Sequence, residues 1–169
     1  MLPEFPYITK CKKCETIFWL DETSEEGVYS RDWENDTDFD EPDHAEFLNI
    51  QEYLTAIEKG LARNKNELLY LRQRIWWLFN DRTRDKQEIF KTKEEEAIYR
   101  ENCNGLLAIL DKRDLNQKIM AAEVKRNLGD FDACLDIIET IDQDGISWLK
   151  DIFIINCKEQ NRLVVLLDS

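Results

Sequence analysis

The stretch Leu115-Asn116-Gln117-Lys118-Ile119-Met120-Ala121-Ala122-Glu123-Val124-Lys125-Arg126-Asn127-Leu128-Gly129-Asp130-Phe131-Asp132-Ala133-Cys134-Leu135-Asp136-Ile137-Ile138-Glu139-Thr140-Ile141 decides the fold. Phe131, Cys134, Leu135, Ile138 and Ile141 recur at the spacing of one helix face. Gly129 stands where a residue of positive φ ends a helix. The spacing therefore predicts two helices, about Leu115 to Leu128 and Asp130 to Ile141, joined by a tight turn.

Working outward, the same periodicity continues in both directions. Ile50, Tyr53, Leu54, Ile57 and Leu61 lie on one face of an earlier helix. Asn64 marks a break before a second helix, about Lys65 to Asn80. A third is expected from about Lys93 to Leu110, with Ile98, Leu106, Ile109 and Leu110 on its apolar side, and the charged stretch Asp111 to Asp114 turns the chain. A last helix, about Ser147 to Glu159, precedes the run Leu163-Val164-Val165-Leu166-Leu167. That run is short and β-branched, so it either closes against the N-terminal hairpin as a strand or plugs the end of the bundle.

Residues 115–142 resemble a tetratricopeptide repeat. Ala122, Gly129, Phe131 and Cys134 fall at the offsets where that family places a small residue, the turn glycine, an aromatic and a second small residue, and Ile138 takes the later apolar position. Lys118 and Lys125 depart from positions where aromatics are common, and no proline closes the unit. No second repeat is evident. One unit cannot bury its own faces, so the other helices must complete the stack. The resemblance implies a protein-binding scaffold. The expected fold class is mainly α, with helical hairpins stacked as a tetratricopeptide-like bundle beside a small N-terminal β-hairpin.

Charge divides the chain further. The net charge is −13, and the segment Asp21 to Phe47 carries twelve Asp or Glu residues against Arg31. The chain thus falls into three regions: a cysteine hairpin over 1–20, an acidic connector over 21–47, and helices over 48–169. The charge should repel nucleic acid and anionic membranes and favour a basic partner. No apolar run approaches the ~20 residues that span a bilayer, and the N-terminus lacks the pattern of an export signal. A compact, bacterial-type cytoplasmic protein with reduced thiols is expected.

Cys11-Lys12-Lys13-Cys14 lies between the strand-like runs Tyr7-Ile8-Thr9 and Ile17-Phe18-Trp19-Leu20. It is similar to one knuckle of a zinc ribbon, in which two thiolates grip one face of a tetrahedral ion. That likeness implies zinc at Cys11 and Cys14. Glu15 replaces the glycine usual after the second cysteine. The remaining ligands could come from His44, a connector carboxylate, Cys103, Cys134, Cys157, or a second chain in a homodimer joined through the hairpin. Without metal, the cysteines are small packing residues. A dithiol redox site is the remote alternative, since such sites open a helix after a strand.

Arg72, Arg74, Arg82 and Arg84 alternate with Tyr70, Trp76, Trp77 and Phe79 along the second helix. Arg72, Trp76, Arg82 and Arg84 are the candidate partner-binding residues, because guanidinium groups grip carboxylates bidentately and stack on rings. The simpler account makes Ile75, Trp76 and Phe79 core, with arginines extended over it. Asp36-Thr37-Asp38-Phe39-Asp40 opens like a calcium loop, but Glu41 and Phe47 stand where Gly and a bidentate Glu are needed. One histidine, no nucleophile elbow and no P-loop leave no catalytic residues to nominate. The expected function is a non-enzymatic interaction module that docks a protein or peptide segment in a helical groove. The alternative is an acidic inhibitor of immunity type that binds a basic enzyme surface, and a metal-dependent or redox enzyme at Cys11 and Cys14 is more remote.

Overall fold

The computed structural model describes residues 5–24, 45–142 and 146–165. Most of the acidic connector, including His44 and the Asp36 to Asp40 stretch, lies outside the described residues, as do Leu166 and Leu167. Among the described residues there are six α-helices and one two-stranded antiparallel sheet, so the chain is mainly α with a small N-terminal β-hairpin. Its packing divides into two units, Met1–Leu61 and Ala62–Ser169.

In the first unit, β1 (Ile8–Lys10) pairs with β2 (Ile17–Trp19) in the register Ile8 opposite Trp19 and Lys10 opposite Ile17. The β-branched and aromatic residues suit a pleated, half-buried surface, and Ile8 and Trp19 are buried. A single 3₁₀ turn, Leu20–Glu22, succeeds β2. Helix α1 (Ile50–Glu58) begins with a capping box, in which Asn49 Oδ1 accepts from Glu52 N at 3.0 Å and Asn49 N donates to Glu52 Oε2 at 2.9 Å. It ends before Leu61, because Gly60 adopts φ 65° and turns the chain. Side chains of the hairpin fasten it to α1 and its flanks: Thr9 Oγ1 donates to Glu46 O at 2.9 Å, Trp19 Nε1 to Leu61 O at 2.8 Å, and Lys10 pairs with Glu52. The boundary near residue 48 thus marks where helical periodicity starts, whereas packing changes partner at Leu61.

The second unit holds α2 (Lys65–Arg84), α3 (Lys93–Ile109), α4 (Leu115–Leu128), α5 (Phe131–Glu139) and α6 (Ser147–Lys158). Asn64, Thr92 and Asp114 each cap a helix by accepting from the backbone N–H three residues on. Gly129 ends α4 with φ 84°, and Gly129 N and Asp130 N donate to the carbonyls of Arg126 and Lys125, both at 2.9 Å. The chain reverses there, and α4 packs on α5, as α2 does on α3 and α5 on α6. Ala122, Cys134, Ile138, Ile141, Phe153 and Cys157 form one buried cluster. A second cluster sits between α2 and α3, where the Phe79 and Tyr99 rings meet edge-on at 5.3 Å and Phe90 leans on both. Burying a side chain such as Phe79 or Ile138 contributes about 2 kcal/mol.

Helix α2 runs four residues past Asn80, where the expected helix ended. Asn80 is buried and bonded inside the unit, so it continues the helix instead of breaking it. Leu163, Val164 and Val165 form no strand. The carbonyl of Arg162 just before them is held by Asn127, so the chain lies against the helices.

Candidate functional site

Helices α2, α4 and α6 enclose a groove of about 290 Å³ on the second unit. Its walls carry Trp76 and Trp77 from α2, Ile119 and Met120 from α4, and Ile152 and Phe153 from α6, with Val165 at one end. Trp76 and Phe153 are buried and form the floor, while Trp77, Met120 and Ile152 are half-exposed. Among the described residues of the lining, the charged groups are Glu123 and Arg126, which pair with each other.

Polar contacts hold those walls in place. Arg126 is 1% exposed, and its guanidinium lies bidentate on Glu123 while also donating to the carbonyl of Asn161. Beside it, Asn127 Oδ1 accepts from Trp76 Nε1 at 2.9 Å, and Asn127 Nδ2 donates to Arg162 O at 2.7 Å. Arg162 Nε returns a bond to Asn127 O at 3.0 Å. Asn80 and the Tyr99 hydroxyl extend the network at the longer distances of 3.5 and 3.4 Å. Buried polar groups must be paired, and these bonds fix α2, α4 and the segment after α6 in one arrangement. Desolvation pushes the Tyr99 hydroxyl up and the Cys103 thiol up to about 12, so both stay protonated and serve as packing.

The four partner-binding candidates do not converge. Trp76 is buried in the groove floor. The Arg72 guanidinium lies over Gly105 of α3, and burial lowers its pKa. Arg82 forms a bidentate pair with Glu95 at 2.7 and 3.0 Å, donates to Ile89 O, and lies over the Phe79 ring at 5.0 Å. Arg84 is exposed and pairs with Asp81. A further cation–π contact joins Arg74 to Trp77 at 5.5 Å. Sequence reasoning missed Arg126, Asn127 and the α4 and α6 walls. The apolar residues of α4 are spread around the helix and mark no single buried face, and Arg126 and Asn127 are buried by partners distant in sequence.

At the hairpin tip, Cys11 N donates to Thr16 O at 2.9 Å and Glu15 N to Cys11 O at 2.8 Å. Glu15 has φ 58°, the left-handed conformation that favours glycine. Cys14 is exposed, and its Sγ is 3.3 Å from Thr16 Oγ1. Hydrogen bonding with Thr16, and then with Cys11, holds the Cys14 thiol below its ordinary value, which favours the thiolate. Cys103, Cys134 and Cys157 are buried among the helices of the second unit. Among the described residues no three His, Cys, Asp or Glu side chains gather as a metal-holding group. No described helix is long and apolar enough to cross a membrane.

Compared with protein-family models, with curated proteins and with solved structures, the chain matches none of them.

Proposed function

We propose that this protein is a non-enzymatic interaction module that receives an apolar-faced segment of another protein in the α2–α4–α6 groove. The observation that carries the reading is the composition of that groove: half-exposed Trp77, Met120 and Ile152 over a buried floor, with its one charged pair already satisfied. Tryptophan and methionine are favoured at protein-binding surfaces because they offer large contact area and, for methionine, adaptable shape. The tetratricopeptide likeness belongs to the same reading. Ala122 and Cys134 are fully buried where α4 meets α5, and Gly129 makes the turn. The five cysteines are free thiols, which suits a reducing cytoplasm.

The acidic-inhibitor alternative draws on a different observation, the concentration of negative charge between Asp21 and Phe47. Salt separates the two, since exposed charge is screened and apolar contact is not. Peptides selected from a displayed library against the full chain would be titrated by fluorescence polarisation at low and high salt. Groove docking expects apolar residues at helical or alternate spacing in the selected peptides, weak salt dependence, and at least tenfold weaker binding to Met120→Glu/Ile152→Glu at unchanged helicity. Basic peptides that bind this variant as well as the wild type, and are released by salt, would overturn it in favour of the acidic surface.

A further inference from the structure

We infer that the hairpin tip is half of a zinc site, completed by the same tip of a second copy of this chain. The inference does not depend on the groove, which lies on the other unit.

Two thiol groups three residues apart stand at one end of a two-stranded hairpin, on a loop closed by two short backbone bonds. Cys11 opens the loop and Cys14 lies within its turn, so the two thiols stand at the same tip. Cys14 is exposed, so the pair opens outward from the tip. Thiolates are soft donors that select zinc over magnesium or calcium. Binding releases their protons.

The donor set fits zinc in kind and falls short in number. A closed structural site takes four ligands in a tetrahedron. The hairpin supplies two, no third donor gathers with them among the described residues, and the other three cysteines are packing groups inside the helical unit. Four thiolates from two hairpins complete the tetrahedron with identical halves, which is the symmetry of a two-fold dimer. Lys12 and Lys13, between the two cysteines of each loop, add positive charge beside a tetrathiolate centre that would carry a net −2. Lys12 is held near the loop by Glu46 at 3.3 Å.

The test uses the full chain, reduced, supplied with zinc chloride and freed of excess metal. Zinc is measured by emission spectrometry and mass by light scattering. The expected result is one zinc per two chains and twice the 20.2 kDa monomer mass. EDTA should reduce this to a monomer and added zinc restore the dimer, with helicity constant throughout. Cobalt(II) in place of zinc should show the sulfur-to-metal absorption of a four-thiolate tetrahedral site. Cys11→Ser and Cys14→Ser should each give a metal-free monomer, and the chelation cycle on the unaltered chain stands if either variant folds poorly. One zinc per monomer, its binding lost in His44→Ala, would make the site internal and overturn the proposal. A reduced, folded chain that takes no zinc, or a dimer that survives chelation, would overturn it equally.

Discussion

The indole N–H of Trp76 donates to the side-chain oxygen of Asn127 at 2.9 Å, joining α2 to the last turn of α4 across 51 positions. Asn127 passes the connection on to the carbonyl of Arg162. One carboxamide thus holds the groove floor and the segment beyond α6 together. Replacing it with an apolar group of similar size, Asn127→Leu, leaves an indole N–H and a backbone carbonyl without partners in a dry interior. The expected loss is about 2–4 kcal/mol, read as a lower urea midpoint at unchanged slope. A loss below about 0.5 kcal/mol, the usual surface value, would show the network to be incidental.

Acid should weaken the junction of α2 and α3. The Arg82 guanidinium and the Lys91 N–H hold the Glu95 carboxyl down to about 2, from an ordinary value near 4.5. A carboxyl whose pKa is depressed on folding contributes stability above its unfolded pKa and loses it as pH falls through the folded one. Glu95 therefore helps fully above about pH 4.5 and progressively less towards pH 2. Glu95→Gln should cost about 1–2 kcal/mol at pH 7, allowing for solvent screening of a partly exposed pair, and nearly nothing at pH 2. Equal cost at both values would assign the effect to packing.

Two glycines should respond to alanine for different reasons. Gly129 has φ 84°, where an L side chain is strained, so Gly129→Ala should cost about 1–2 kcal/mol. Thermal melts of this variant should fall with or without Arg162, whose side chain would only be in ordinary contact with the new methyl.

Gly105 has ordinary helical geometry, but a Cβ there would run into the Arg72 guanidinium. Gly105→Ala should be worth about 1 kcal/mol of added stability in an Arg72→Ala background, from helix propensity. In the wild type that gain should be reduced or reversed, because the guanidinium must leave its place on the α3 backbone. A double-mutant cycle measures the difference, and additive effects would mean the contact is not maintained in solution.

Much of the architecture was legible because its determinants are local. Asn64 before Lys65, Gly129 after Leu128 and the stripe from Phe131 to Ile141 each act within one or two turns, and α2, α4 and α5 begin or end where they say. Long-range determinants failed to show. Asn80 looked like a helix end until its partners, Tyr99 and Asn127, were in place. Arg126 drew no notice in the sequence, since its burial depends on Glu123 and on a carbonyl 35 positions away. The arginine-rich face of α2 was conspicuous in composition, but Arg72 and Arg82 are turned to α3, and the groove forms on the side that meets α4 and α6. Gly60 is a local signal too, and it ends α1 three residues before Leu61, a residue that the periodicity had placed on the helix. His44 and the acidic stretch around it fall outside the described residues.

Each packed unit also contains a buried tryptophan whose indole N–H is bonded to protein: Trp19 to Leu61 O in one, Trp76 to Asn127 in the other. A variant retaining only Trp19, and another retaining only Trp76, would each emit from a single dry, hydrogen-bonded environment. Their colours would then report separately on the two halves of the chain, and the interval between the two shifts during denaturation would reveal whether the halves melt as one cooperative body or in sequence.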